Sequence, residues 1–334
     1  MGKNKQKLEA VEKLIKRMGD KMSAEEAQKI RDLFTDEPDD ETAFDDSSNA
    51  FSQACCSCGG VSIGGVNVVG VNHGVICCNG HCGTTIKGNG KIKSRSFEFF
   101  NVETLSIDGP WEAELNSSAE ADMCVVSMEE NLFKYAHVKC TAGHLRIALT
   151  GNIAPTKPMR LKISLKNMPS KLTQAGACSF ASGDMIGKSF EGDISGSSQL
   201  SMSKCHIDAV GLLISGSSHV SGKIAGTKGD FRVTGSSEVC LHCKLGTLGA
   251  DVSGASDVDF DGEFKKVGLR VSGASRVRLA KAEACTIIVS GASNLRIHAK
   301  KSLEGSVSGA SSVEYSGVKS HEVRTSGASD IYRA

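Results

Sequence analysis

Hydrophobic and polar residues alternate along most of the second half of the chain, and this alternation predicts β-strands. In one unit Val258 and Phe260 alternate with polar residues, and Val267, Leu269 and Val271 do so again after a short polar bend. Each pair of alternating runs is followed by a Ser-Gly-Ala-Ser motif or a close variant of it. We therefore expect one face of each strand to be buried and the motif to form a turn.

The alternating unit recurs at a nearly constant interval. Leucine-rich, ankyrin and tetratricopeptide repeats have other signatures, and the last two need helices. A unit of this length with two or three short strands is typical of a β-helix, in which each coil hydrogen-bonds to the coils above and below. The sequence number of the motif glycine rises by 18 to 20 from each unit to the next, which predicts nine coils: Gly176, Gly196, Gly216, Gly235, Gly254, Gly273, Gly291, Gly309 and Gly327.

The motif and the outward positions are consistent with this stacking. Glycine is expected where each coil turns a corner with positive φ, and the small Ser and Ala side chains are expected where neighbouring coils stack closely. The same register places opposite charges beside one another on successive coils. The predicted pairs are Asp257 with Arg276, Asp259 with Arg278, and Arg296 with Glu314.

The first third of the chain has a different pattern. Apolar residues at three- and four-residue spacings, and a capping box that begins at Ser23, predict an α-helical hairpin over residues 1–35. Residues 36–54 read as an acidic and polar linker, and residues 55–96 form a Cys- and Gly-rich segment. The β-helix domain is predicted over residues 97–334.

The Cys-rich segment contains the strongest candidate for a metal site. Cys55 and Cys58 form a C-x2-C pair, and Cys78 and Cys82 form a C-x3-C pair later in the segment. This spacing is close to that of structural zinc sites, and His81 is an alternative ligand. The intervening sequence is strand-like and rich in glycine, so buried or oxidisable cysteines are the preferred interpretation and a structural zinc site is the alternative. No other cofactor is predicted.

Two smaller motifs invite a chemical interpretation. Residues 87–91, Lys-Gly-Asn-Gly-Lys, superficially suggest a phosphate loop but lack its full signature, so a polar turn is preferred. Cys240, His242 and Cys243 are close in sequence, and alternation places Cys240 and His242 on one face. A surface thiol pair is the preferred interpretation there, and a second metal site is the alternative.

Charge and composition exclude several classes of function. The formal net charge is +1, and no cluster of Lys and Arg is evident in the second half of the sequence, so nucleic acid is not expected as a partner. The N-terminus lacks an apolar signal-peptide core, and no run of about 18 apolar residues is present. These features predict no membrane span and a cytoplasmic location.

From about residue 97 to the end, the sequence resembles a known family. The segments FNVETLSIDGPWEAELNSS, MCVVSMEENLFKYAHVKCTAGHLRIAL and MRLKISLKNMPSKLTQAGA precede the SGAS repeats in the order and spacing of that family. The family is the head GIN domain of auto-transporter adhesins. The resemblance implies a right-handed parallel β-helix. It supplies no catalytic or binding residues, and members of the family are commonly exported.

These observations together predict a non-enzymatic structural or interaction protein. A β-helix exposes strand edges at its first and last coils, and SGASDIYRA leaves the last coil without a cap of its own. We therefore expect a homo-oligomer, or association with another protein, through the N-terminal segment or the coil ends. The alternative is an adhesin-like module that binds a glycan or protein polymer on its side ladders.

Overall fold

The structure is a computed structural model that describes residues 85–117 and 119–334, together with the backbone of two short strands at residues 77–78 and 81–82. The predicted helical hairpin of residues 1–35 and the acidic linker of residues 36–54 lie outside the described residues. The domain boundaries therefore stay predictions.

The described residues form 23 β-strands and one short 3₁₀ helix, Glu130–Tyr135. The strands are β1 (Cys77–Cys78), β2 (His81–Cys82), β3 (Ile86–Lys87), β4 (Ile92–Phe99), β5 (Thr104–Asp108), β6 (Trp111–Asn116), β7 (Asp122–Glu129), β8 (Ala136–Thr141), β9 (His144–Leu149), β10 (Ile153–Ala154), β11 (Met159–Ser164), β12 (Lys171–Ala175), β13 (Ser179–Ser182), β14 (Met185–Ile194), β15 (Gln199–Ile214), β16 (His219–Val233), β17 (Glu238–Val252), β18 (Asp257–Val271), β19 (Arg276–Val289), β20 (Asn294–Val307), β21 (Ser312–Gly317), β22 (Glu322–Thr325) and β23 (Asp330–Arg333).

Strands β12 to β23 stack in parallel as a β-solenoid of about nine turns, so the predicted all-β solenoid is confirmed. Each long strand pairs with its counterpart in the next coil at the interval that the motif glycines predict. The alternating residues point inward as predicted: Val258 and Phe260 are fully buried, and inside the core the ring of Phe260 stacks on that of Phe231, with 5.5 Å between the ring centroids. The right-handed sense of the coil stays a prediction from the resemblance.

The repeated motif forms one corner of the solenoid. Its nine glycines have φ between +73° and +84°, a region that L-residues with a side chain rarely adopt. A Cβ atom on Gly254 would overlap with the carbonyl oxygen of Gly235 in the preceding coil. That carbonyl accepts a hydrogen bond of 2.8 Å from the N–H of Ala255. Glycine is therefore required both by φ and by the close stacking of the corners.

The last serine of the motif closes the corner from inside. Ser256 is buried, and its hydroxyl donates to the carbonyl oxygen of Ser253, at 3.1 Å, within the same turn. It also lies 3.3 Å from the carbonyl oxygen of Gly235 in the coil before. The equivalent serines repeat this arrangement in other coils, so the hydroxyl satisfies backbone acceptors that would otherwise be buried without a donor.

Antiparallel strands cover the N-terminal end of the solenoid. There β5 and β6 form a first coil beneath the repeats, and the turn between them places Gly109 under Gly176. Strand β11 pairs in parallel with β6 and antiparallel with β7, which in turn pairs with β4. Strand β9 pairs with β5 and forms a hairpin with β8. The direction of pairing thus changes at this end.

No helix within residues 85–117 and 119–334 has the length and apolar character needed to cross a membrane.

Candidate functional site

The surface of each coil has three parts, which we name from the coil that contains Gly254. The first face comprises residues 257–260, the bend comprises residues 261–266, and the second face comprises residues 267–271. The coils pair in register along both faces, with one-residue shifts at the bend of some coils, so outward positions form columns of side chains along the solenoid. Any site on the side of the solenoid is therefore assembled from residues that lie one or more full repeats apart in sequence.

The first face carries a ladder of matched charges, and the predicted pairs are confirmed. Opposite carboxylates and guanidinium groups lie beside one another on successive coils and are exposed to solvent. The distances are 3.3 Å from Arg276 Nη1 to Asp257 Oδ2, 3.5 Å from Arg278 Nη1 to Asp259 Oδ2, and 2.9 Å from Arg296 Nε to Glu314 Oε2. Each of these pairs contributes little to stability, about 0–1 kcal/mol, but the ladder leaves these charges balanced.

The bend carries unbalanced positive charge, contrary to the prediction that the second half contains no basic cluster. In five successive coils, residues 223–228, 242–247, 261–266, 280–284 and 298–301 together contain eight lysines and three carboxylates. Pairing of the coils brings these lysines together on one edge of the solenoid. The prediction was wrong because lysines of successive coils are a full repeat apart in sequence, although they are neighbours in space.

A depression lies in the middle of this basic bend. Its volume is about 380 Å³, and Gly226 and Gly246 form part of its wall. Both glycines are required by close stacking, since a Cβ on either would lie too near a backbone carbonyl of the preceding coil. Four exposed lysines and two carboxylates surround the depression: Lys244, Lys265, Lys281, Lys300, Glu263 and Glu283.

The carboxylate of Glu283 shows how strong the local positive field is. A hydrogen bond from Lys301, at 2.7 Å, lowers the pKa of Glu283, and the nearby charges of Lys265 and Lys300 lower it further. Glu283 stays ionised, but it neutralises only one of the lysines around it. The depression therefore keeps an excess of positive charge.

The cysteines whose side chains the structure describes are mostly core residues. Burial raises the pKa of five thiols to about 12, so these thiols remain protonated and unreactive at neutral pH. They are Cys124, Cys178, Cys205, Cys243 and Cys285. Cys178 takes the place of the corner serine in the first repeat.

The group Cys240, His242 and Cys243 is divided by strand alternation. Cys240 and His242 share the exposed face, as predicted, but Cys243 is buried, so the expected surface thiol pair is wrong. His242 Nδ1 lies 2.8 Å from Asp261 Oδ2, and this hydrogen bond lowers the pKa of Asp261. Within the described part of the chain, no group of three or more His, Cys, Asp or Glu side chains is placed to hold a metal ion.

The loop at residues 88–91 joins β3 to β4 as a polar turn, which confirms the preferred interpretation of the Lys-Gly-Asn-Gly-Lys motif. It surrounds a carboxylate of the protein itself. Glu129 is fully buried and accepts hydrogen bonds from the N–H of Gly90, the N–H of Thr156 at 2.8 Å, and the Thr156 hydroxyl at 2.6 Å. A side chain on Gly88 would overlap with this carboxylate.

The hydrogen bonds to Glu129 determine its ionisation. Burial alone would raise the pKa of this carboxyl group. The bonds from Thr156, and from the backbone N–H groups of Gly90 and Lys157, outweigh burial and lower the pKa. The ionised side chain thus holds three backbone segments together beside the N-terminal end of the solenoid, and its role is structural.

Among the described residues, the strands of the last coil are paired along one edge. Strand β22 pairs with β20, and β23 pairs with β21, each along one edge. No strand of the described residues pairs with their other edges. The corner residue Ser329 is only half-buried, whereas its counterpart Ser311 in the coil before is fully buried. This edge is a backbone surface that can accept a further strand.

Comparison with protein families matches the solenoid to one family model. The model described as "Putative auto-transporter adhesin, head GIN domain" matches residues 101–236 and 214–318, which together are more than half of the chain. The chain belongs to this family. The resemblance found in the sequence is thereby confirmed.

Solved structures similar to this head GIN domain protein support its fold. A "putative adhesin" from Parabacteroides merdae has 14% sequence identity and a TM-score of 0.62, and covers 75% of this chain and 99% of its own. A "Putative lipid binding protein" from Parabacteroides distasonis has 19% sequence identity and a TM-score of 0.58, and covers 75% of this chain and 100% of its own. A "putative adhesin" from the same organism has 18% sequence identity and a TM-score of 0.57, and covers 75% of this chain and 100% of its own. At these identities, the likeness shows the fold alone.

A comparison with curated proteins gives no match.

The structure describes only part of the predicted zinc site of this family member. Cys55 and Cys58 lie outside the described residues. The backbones of β1 and β2 pair antiparallel, with Cys78 opposite His81 and Cys77 opposite Cys82. This pairing brings the backbones of Cys78 and His81 together. The zinc site stays a prediction, and so does the cytoplasmic location.

Proposed function

We propose that this head GIN domain protein is a non-enzymatic interaction protein that associates with further copies of itself through the last coil of its solenoid. The open edge of β22 and β23 is the observation that supports this proposal. A strand of a second copy that pairs there can form backbone hydrogen bonds like those that join successive coils. The names of the family and of the similar proteins, as adhesins or a lipid-binding protein, agree with a binding role.

The chemistry of the described surface also supports a role other than catalysis. Carboxylates of the first face are paired with arginines, and five thiols are buried with raised pKa values. The deeply buried carboxylate, Glu129, is fully engaged with backbone and hydroxyl donors. The carboxylates are thus engaged with partners inside the protein, and the thiols pack in its core.

Proline substitution at the open edge tests the proposal. In parallel pairing, alternate residues direct their backbone groups to the two neighbouring coils. The N–H groups of Ser326 and Ala334 bond to the preceding coil, so those of Thr325 and Arg333 face the open side. The double variant Thr325→Pro/Arg333→Pro removes these two donors, and proline is tolerated on edge strands.

The measurement is light scattering after size-exclusion chromatography, over a range of micromolar concentrations. We expect the mass of the wild-type protein to rise above the chain mass of 35.0 kDa with concentration, and the proline variant to stay at 35.0 kDa. The matched control Thr325→Ala/Arg333→Ala keeps both N–H groups and should associate as the wild type does. A wild-type protein that stays at the chain mass, or a proline variant that associates normally, contradicts the proposal.

A second function, binding of a polymer on the side of the solenoid, is supported by the depression in the basic bend. Its lysines form a column along the solenoid rather than a single point. An extended ligand with repeated negative charges can contact several coils at once.

A further inference from the structure

The charges of the bend differ from those of the first face in one decisive respect. On the first face the arginines have carboxylate partners on the neighbouring coil. At the depression, Lys301 is paired with Glu283, but Lys244, Lys265, Lys281 and Lys300 form no ion pair with a carboxylate of the described residues. The fold thus balances charge on one side and leaves it unbalanced on the other.

The unbalanced lysines extend along the solenoid axis. The depression is lined by residues of five successive coils, from Gly226 to Lys300. With a strand spacing of about 4.8 Å, four steps between coils correspond to about 19 Å. A site of this length suits an extended ligand better than a single small anion.

We propose that the depression in the bend binds an acidic polysaccharide. This inference rests on the proposed role in binding and names the class of ligand. The amines of Lys265, Lys281 and Lys300 are free to contact carboxylate or sulfate groups along the polymer. The carboxylates of Glu263 and Glu283 lie between the amines and accept hydrogen bonds from sugar hydroxyl groups. An acidic sugar polymer carries both kinds of group, so it matches the mixed lining.

Other polyanions match the lining less well. Single-stranded nucleic acids depend on stacking against exposed aromatic rings, but the aromatic residue at the depression, Phe264, is only 3% exposed. Membrane surfaces favour exposed apolar side chains that insert between lipids. The exposed large apolar residues of the described chain lie away from the depression: Ile92, Phe100, Ile186, Leu213, Ile288 and Tyr332.

The test measures binding of the full-length protein to defined polymers at physiological salt. Dextran sulfate and polygalacturonate present sulfate and carboxylate groups, and unmodified dextran is the neutral counterpart. Polyglutamate, a single-stranded oligonucleotide and phosphatidylglycerol vesicles represent the other classes of polyanion. We expect saturable binding to one or both acidic polysaccharides, no binding to dextran, and weaker affinity as salt screens the lysines.

A charge-matched pair of variants locates the site. Replacing Lys244, Lys265, Lys281 and Lys300 by Gln should weaken binding of the acidic polysaccharide by about 10-fold or more, as several exposed ionic contacts are lost together. Replacing four exposed lysines elsewhere by Gln removes the same charge and should change affinity by less than about 3-fold. The control positions are Lys162, Lys166, Lys171 and Lys188.

Three results would overturn the proposal. The first is that neither acidic polysaccharide binds, and the second is that both variants lose the same affinity for the polysaccharide. The third is that polyglutamate, the oligonucleotide or the vesicles bind as tightly as the acidic polysaccharide and through the same lysines. Because all eight lysines are exposed, the circular dichroism spectra should be unchanged. The oligomeric mass of the same variants is measured separately, so a failure of polysaccharide binding is distinguishable from a failure of self-association.

Discussion

Replacing Gly254 by Ala should lower the free energy of unfolding by about 4 kcal/mol or more, which is an exceptional loss for a single methyl group. Alanine at this position would have to keep φ near +84°, which is strained for a residue with a side chain, and its Cβ would overlap with the carbonyl oxygen of Gly235. Since the neighbouring atoms are backbone rather than flexible side chains, the corner can relieve the overlap only by separating two coils. Urea denaturation followed by circular dichroism measures the loss.

Gly268→Ala is the matched control, because Gly268 lies in the same coil with open space around its Cβ position and without a positive φ. We expect its free energy of unfolding to change by no more than about 0.5 kcal/mol. Similar losses in the two variants would mean that the corner stack does not determine where glycine is required.

Replacing Glu129 by Gln should lower the free energy of unfolding by about 2–3 kcal/mol at neutral pH. The amide keeps one acceptor oxygen but turns an N–H donor toward the donors of Gly90 or Thr156. Glu130→Gln is the matched control, since Glu130 is exposed and its ion pair with Lys93 is on the surface. Surface ion pairs of this kind contribute about 0–1 kcal/mol.

The loss of stability caused by Glu129→Gln should become smaller as the pH falls. Because the folded protein lowers the pKa of Glu129, the carboxylate stabilises the fold above the pKa of the unfolded chain, about 4.5. This contribution is lost as pH falls through the lowered folded value. The difference in stability between wild type and variant should therefore be constant near neutrality and shrink below about pH 4.5. A difference that grows on acidification would contradict the assigned ionisation.

The regular part of the fold follows from the sequence because stacking requires repetition. A constant interval between motif glycines determines which residues are neighbours on successive coils, so the pairing of Asp257 with Arg276 could be predicted before the structure was known. The same rule places Val258 in the core. Strand alternation also places Cys240 and His242 on one face. The same alternation places Cys243 on the opposite face, and that residue points inward.

Features outside the repeat could not be predicted in this way. The turn at Gly109 forms a coil beneath the repeats, but it lies several strands before Gly176 in the sequence, and no periodic signal links the two glycines. The partners of Glu129 come from loops distant in sequence, at Gly90 and Thr156. Such contacts depend on how antiparallel strands close the end of the solenoid.

The linear sequence gives no direct signal of the basic bend. A search for consecutive Lys and Arg residues finds no cluster, because each coil contributes only one or two lysines. One-residue shifts of register in the bend also obscure the column: counted from the motif glycines, Glu263 aligns with Ala282, whereas the structure pairs it with Lys281. In a solenoid, charge has to be counted along columns rather than along the chain.

Native mass spectrometry of the full-length wild-type protein tests the central claim, self-association, most directly. The account predicts species at two or more multiples of the 35.0 kDa chain mass, with larger species gaining at higher concentration. The same spectrum reports any mass excess from zinc bound at the predicted cysteines. A single species at one chain mass throughout the concentration range would contradict the claim that the open last coil pairs with another copy.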